Sequence, residues 1–406
     1  MRRSPSPARV TIASASAIPT RSIVALSFGA CGSSASLRAC DPLLPRLASE
    51  FGVGLGAAAR TVTAFAIAYG VLQLAYGPIG DRYGRYRTVT IAALASALAS
   101  FACASAPTLD ALVAARMLAG AAAGALIPLS IAWIGDVVTY ERRQTVLARF
   151  LVGQMFGIAF GQLLGGIGAD YFGPRYVFVA LGVWFVGTAS LMWRFGPPPT
   201  HSPSPPADRG VVMRFVSVLR VRWAQVVLVT VYLEGVVLFG ALAFIPTHLH
   251  LAYGLPLTVA ASIAMLYGVG GMAFAALSRI LVQRLGEAGL AAGGAVLLGT
   301  SLAIIALGSV AFVATLCCFV VGFGLYMLHN TLQVNATQMA PAQRGSSLAL
   351  FAACLFVGQS SGVTLAGYAA DRFGTAPTIF VEGAFVLALG LLFGAVLRGR
   401  RAATVR

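Results

Sequence analysis

Apolar runs of about 20 residues, each closed by a short polar or glycine-rich interval, follow one another along nearly the whole chain. A run of that length crosses the roughly 30 Å hydrocarbon layer of a bilayer as a helix rising 1.5 Å per residue. The pattern does not show the short, period-two segments of a membrane β-barrel. Six spans are predicted at 22–44, 60–79, 88–106, 111–133, 145–168 and a sixth that ends near Arg194. A second set is predicted at 223–246, 258–282, 288–307, 310–334, 346–369 and 376–397. The expected fold class is therefore an all-α membrane protein of 12 transmembrane helices.

The intervals divide the chain. Residues 1–21, rich in Pro, Ser and Arg, are expected to form a disordered tail, because they hold too little apolar surface to order themselves. Residues 22–195 are expected to form one six-helix bundle and 223–397 another, with 398–406 as a closing tail. Between the bundles, 196–222 opens with Pro197-Pro198-Pro199 and ends in a segment where Arg214, Arg220 and Arg222 alternate with Val, Phe and Leu. That segment is predicted to be an amphipathic helix lying on a membrane surface. Arg38 and Asp41, late in the first run, favour a retained first helix over a cleaved secretory signal.

Composition supports the class: 58% of the 406 residues are hydrophobic and 10% are charged, with mean hydropathy +0.86. The net charge of +16 comes entirely from Arg, since the chain contains no Lys. A nucleic-acid partner is excluded by where those Arg lie. With the start of the chain inside, only Arg46, Arg60, Arg175 and Arg372 fall in outer intervals, so both termini are expected in the cytoplasm and the protein in the cell inner membrane. The 6 Cys lie in or beside predicted spans without a C-x-x-C pair, and His248-x-His250 is too sparse for zinc, so free thiols and no metal or other cofactor are expected. Without Lys there is no G-x4-G-K-[ST] loop, which argues against ATP-driven transport, and no clustered nucleophile suggests an enzyme.

The two halves repeat each other. Arg143–Gly173 placed on Arg344–Gly374 gives 12 identities in 31 positions, including Gly157 with Gly358, Gly161 with Gly362 and Ala-Asp-x-Phe-Gly at the end of both segments. Six spans return the chain to its starting side, so the repeats are parallel about an axis along the membrane normal.

Polar residues inside apolar spans are expensive, and mark functional candidates. Glu234 lies eleven residues into the seventh span, about 16 Å along it, and is read as a proton carrier or a counter-charge for a cation. Arg38 and Asp41 share one helix face, with Arg116 entering from the same half of the membrane. Asp41 either exchanges between the two Arg during proton binding or forms a static pair. His329, Asn330 and Gln333 in the tenth span, with Gln73, Gln154, Gln162 and Gln359, are candidate cavity-lining groups. Between the second and third spans, Gly77-Pro-Ile-Gly-Asp81-Arg82-Tyr-Gly84-Arg85-Tyr-Arg87 crowds charge into what reads as a cytoplasmic hinge loop. The second half carries a weaker echo of it, Arg284-Leu-Gly286, without the Asp.

Twelve spans, a parallel repeat and that loop together resemble the major facilitator superfamily of secondary transporters. Gly77-x3-Asp81-Arg82-x-Gly84-Arg85-x-Arg87 is similar to the family signature between helices two and three, and Arg116-x3-Gly120 to its fourth-helix arginine motif. Gly153-x3-Gly157-x3-Gly161-Gln162-x2-Gly165-Gly166 resembles the fifth-helix motif of proton antiporters that export drugs, with Gln162 where that motif carries proline. Asp41-Pro42-Leu-Leu-Pro45 also resembles those exporters, particularly bacterial drug and arabinose-type efflux permeases. The resemblance implies a conformational latch of Gly77, Asp81, Arg82, Gly84, Arg85, Asp136 and Arg344, closed while the cavity faces outward. It implies proton-coupled efflux of a small organic molecule by a monomer; uptake of a sugar or organic acid, and a transport-inactive sensor, are the alternatives. A small-molecule substrate, the proton and the lipid bilayer are then the expected partners.

Overall fold

The computed structural model describes residues 19–197 and 210–405. Most of the tail expected at 1–21, and 198–209 of the expected linker, lie outside those residues. Twelve helical crossings account for nearly everything described: α1 (Thr20–Arg38), α2 (Leu55–Tyr83), α3 (Arg85–Ala104), α4 (Leu109–Val137), α5 (Tyr140–Ile167), α6 (Pro174–Phe195), α7 (Arg222–Tyr253), α8 and α9 (together Leu257–Leu307), α10 (Ala311–Gln338), α11 (Arg344–Phe373) and α12 (Thr375–Val405). Lipid offers no hydrogen bonds, so these segments satisfy their backbone internally as helices. The even number of crossings brings the chain back to the face where α1 begins, the terminal face; the other is the distal face.

Most helices run longer than the apolar runs that announced them, but α1 stops at Arg38, short of the 44 expected, because the chain turns at 39–43. The stretch read as a loop, Gly77 to Arg87, is almost wholly helical, and only Gly84 interrupts it, with φ 87° and ψ 125°. That positive φ would strain any side chain, so a single residue makes the turn. Its counterpart in the second half is Gly286, with φ 63° and ψ 178°, where α8 (257–285) passes into α9 (287–307). α12 likewise continues through most of the tail expected at 398–406. Between the halves a helix forms at Val211–Leu219, shorter than the 211–222 expected.

α1 is the least apolar crossing, rich in Ser and Gly, because it is packed inside its bundle instead of against lipid; most of its residues are buried. It is followed by a turn at 39–43 and a short distal helix, Leu44–Phe51. Pro42, which has no N–H, cannot extend the α1 ladder, and Pro45 stands in the first turn of the short helix, where the missing N–H breaks no helical bond.

Glycines set the contacts within each half, and set them twice. Gly157 and Gly161 of α5 stand against the Cys31 and Ala35 backbone of α1, while Gly358 and Gly362 of α11 stand against the Tyr232 and Val236 backbone of α7. Each residue of the first set lies 201 positions before its partner in the second. A side chain at any of these four glycines would collide with a facing carbonyl.

Across the halves, α2 meets α11 and α5 meets α8. Thr63 and Thr364 hydroxyls are 3.0 Å apart, and the Ser360 hydroxyl donates to the Thr63 carbonyl at 3.1 Å. One hydrophobic core near the distal face draws residues from both halves, including Leu43, Val62 and Phe178 from the first and Phe244, Leu257 and Val363 from the second. Toward the terminal face contact ends: Leu74 still packs on the second half's core, but Gly77 has nothing within 4 Å of where a Cβ would stand. The halves are closed distally and part toward the terminal face.

Candidate substrate and coupling site

The break at the end of α1 places Arg38 and Asp41 beside each other between the halves. Arg38 Nη1 is 3.5 Å from Asp41 Oδ2, and Gln162 Nε2 of α5 donates to the same oxygen at 3.3 Å. From the second half, the Phe239 ring of α7 lies under the guanidinium at 4.8 Å, and Tyr267 and Tyr326 lie within electrostatic range of it. All three first-half groups are buried, yet Arg38 Nε, Asp41 Oδ1 and Gln162 Oε1 have no hydrogen-bond partner among the described residues, nor does the Tyr267 hydroxyl. A buried charge so thinly partnered is costly, so this cluster has unused capacity to bind.

Arg116 is committed elsewhere. Its Nε donates to the Thr61 carbonyl at 3.2 Å, its Nη2 to the Ser36 carbonyl at 3.0 Å and its Nη1 to the Ser36 hydroxyl at 3.3 Å, with the Phe65 ring 4.2 Å away. It ties α4 to α1 and α2 just behind Asp41. In this conformation the Asp41 partner is Arg38.

A second cluster lies nearer the terminal face. Glu234 of α7 is fully buried, and its Oε2 stands 2.9 Å from His329 Nδ1 of α10. The His329 side chain keeps 20% of its surface exposed, so the pair has one member in the protein interior and one accessible. Its ring packs at 5.6 Å from that of Phe351. Gly235, the next residue on α7, lets the backbone of α11 approach at Leu355 and Gln359. Gln359 is buried with neither side-chain atom partnered among the described residues, whereas Gln73, Gln154 and Asn330 are half-buried and Gln333 is exposed. Asn335, farther along α10, donates to Glu287 Oε2 at 3.2 Å.

The third cluster sits at the terminal face. Arg85 donates to Asp81 Oδ1 through Nε at 3.1 Å and Nη2 at 2.8 Å, and to Asp136 through Nη1 at 2.9 and 2.8 Å. Arg82 stacks on its neighbour Tyr83, and Gly77 and Gly84 have open space around them. Arg344, exposed at the start of α11, has no hydrogen bond or ion pair to this cluster among the described residues. Arg85 and the two carboxylates it holds therefore unite α2, α3 and α4 within one half.

Sequence reasoning selected Glu234 and His329 separately and missed that they face each other. It also missed Phe239, Tyr267 and Tyr326, ordinary aromatic residues in apolar runs with no signal to separate them from packing. Glu287, one residue beyond the Arg284-Leu-Gly286 echo, was a findable charge.

The family model described as Major Facilitator Superfamily matches residues 26–363. The chain belongs to that family. It is 25% identical over 378 residues to the uncharacterized MFS-type transporter YceJ of Bacillus subtilis (strain 168), covering 90% of this chain and 94% of that one. A chloramphenicol resistance protein of Pseudomonas aeruginosa is 27% identical over 158 residues, a match spanning 38% of each chain. Among solved structures, a mutant of the nucleoside transporter NupG superposes with TM-score 0.80 over 93% of this chain and 99% of that one at 13% identity, a likeness of fold. This MFS protein is thus a multi-pass membrane transporter.

Proposed function

We propose that this MFS transporter exports a small organic molecule from the cytoplasm across the cell inner membrane in exchange for protons, as a monomer working by alternating access. The observation that carries the reading is the Glu234 and His329 contact at 2.9 Å, with the acid buried and the imidazole accessible. Histidine changes charge near neutral pH, and a carboxylate at 2.9 Å responds to that change directly. Protonation of Glu234 removes the charge that holds His329, and frees a polar side chain on the cleft wall to take or release substrate. Asp41, with an unpartnered oxygen beside Arg38 and Gln162, is the second proton site, and Arg116 holds α1 and α2 around it.

The terminal face is cytoplasmic in this reading, because Arg82, Arg85, Arg87, Arg142, Arg143 and Arg344 gather there. Substrate enters between the parted halves past Gln73, Gln154, Asn330, Gln333 and Gln359. Asp81, Arg82, Arg85 and Asp136, with Gly77 and Gly84 allowing close approach, form one side of a latch that Arg344 and the start of α11 complete when the terminal face closes. The name of the Pseudomonas aeruginosa relative, a chloramphenicol resistance protein, fits the export direction. The test uses inverted vesicles with an acidic interior and a panel of labelled toxic organic compounds. Gradient-driven accumulation that collapses when the gradient is abolished is expected. Accumulation in right-side-out vesicles alone would reverse the direction.

A further inference from the structure

The repeated segment Ala-Asp-x-Phe-Gly closes the crossings of α5 and α11, and both copies turn through a glycine of positive φ, Gly173 at 89° and Gly374 at 86°. Neither aspartate serves its own half. Asp170 Oδ1 accepts from the Leu257 amide at 3.1 Å and its Oδ2 from the Thr258 amide at 2.7 Å, at the beginning of α8. Asp371 Oδ2 accepts from the Gly56 amide at 2.9 Å, at the beginning of α2. Asp170 and Asp371 are 201 positions apart, and so are the Gly56 and Leu257 amides that donate to them, so the two contacts are the same contact made in both directions.

The recipient helices lack caps of their own. The first amides of a helix have no partner within it and are usually met by a Ser, Thr, Asp or Asn side chain just before it. Here those positions are Gly54 and Pro256, which have no capping side chain. Gly54 also leaves the space that the Asp371 carboxylate occupies, since a Cβ there would stand 2.6 Å from Oδ2. Close packing reinforces both: Gly367 of α11 meets the Gly56 backbone, and Gly166 of α5 meets Leu257 and Thr258. Each carboxylate also faces the positive end of the helix dipole.

We propose that Asp170 and Asp371 form a reciprocal clasp, each half capping a helix of the other, which holds the distal face shut and must release before the cavity opens there. They are positioning residues of the transport cycle: they act on which face is open and touch no substrate. The proposal rests on the alternating-access reading above for its role in transport. Its geometry can be tested without transport.

The experiment measures the separation of the halves at the distal face by pulsed electron resonance between spin labels at Ser49→Cys and Ser309→Cys. The purified full chain is used, with its six native cysteines replaced by alanine. Both labelled positions are exposed and belong to different halves. Asp170→Asn and Asp371→Asn are each expected to raise the population at longer distance at least threefold, and the double variant further. Gly54→Asp keeps both aspartates but puts a like charge and a side chain where Asp371 binds; it is expected to shift the distances the same way. Asp110→Asn, which removes an acid paired with Arg60 inside the first half, is expected to leave them unchanged. Folded variants with wild-type distances, or an equal shift in Asp110→Asn, would overturn the clasp. Widened distances in a chain that moves no compound against a proton gradient would leave the clasp standing and remove the exporter reading; proton-driven export with unmoved distances would do the reverse.

Discussion

Glu234 and His329 are 95 residues apart in the chain and share one hydrogen bond at 2.9 Å. Hydrogen bonds to charged groups contribute about 1.5–3 kcal/mol, and taking one partner from a buried pair costs about 3–5 kcal/mol because the other charge is stranded. Glu234→Gln keeps the shape and a hydrogen-bonding atom and leaves a partly exposed imidazole, so the loss of stability is expected to fall below that range. The expected outcome is a folded protein that still exchanges labelled for unlabelled substrate but loses at least tenfold in gradient-driven transport; exchange and net flux in the same proteoliposomes check it. Each residue was visible in the sequence because a polar side chain among apolar ones is conspicuous. Their meeting was not visible, since helical rise gives a residue's depth but not the rotation of one helix against another. Arg116 shows the same limit: its motif was legible, but its bonds to Thr61 and Ser36 depend on where α1 and α2 lie.

The glycine stripe of α5 carries the argument at the scale of the element. Packing against α1 requires that Gly157 have no side chain, because the Cys31 carbonyl occupies that space. Overpacking a tight contact costs about 1–3 kcal/mol. Gly157→Leu is therefore expected to lower the thermal midpoint in detergent by several degrees and to loosen α1, on which Arg38 and Asp41 depend. Gly187→Ala in α6, where a Cβ would meet nothing within 4 Å, is expected to change the midpoint little, and melting curves of the two variants side by side check both. The existence and order of the helices followed from hydropathy alone. Their ends did not: charge closed the apolar run at Ile79, whereas the helix continues through Asp81 and Arg82 to Tyr83 because polar side chains are free to project from a helix that has reached the membrane surface.

At the scale of the molecule, two homologous halves meet through α2 with α11 and α5 with α8, and the contact reaches from the distal face as far as Leu74 of α2. Thr63 and Thr364, with hydroxyls 3.0 Å apart, are placed for a cross-link. Thr63→Cys with Thr364→Cys is expected to form a disulfide under mild oxidation, hold the distal face closed and stop transport, with activity returning on reduction; flux measured before and after a thiol reductant checks it. Undiminished flux in protein shown to be cross-linked would mean that the halves need not separate there. The sequence by itself determined that this chain spans a membrane as helices, that its halves are parallel repeats, and which polar residues are embedded in apolar surroundings. Those properties depend on local hydropathy and on identities at a constant offset. Only the tertiary structure decided that Glu234 faces His329, that Asp41 rests on Arg38 and Gln162, and that Asp170 and Asp371 cap helices of the opposite half. Apart from the local pair Arg38 and Asp41, these contacts join residues from 87 to 315 positions apart, set by how helices rotate and cross, and hydropathy along one chain carries no record of that.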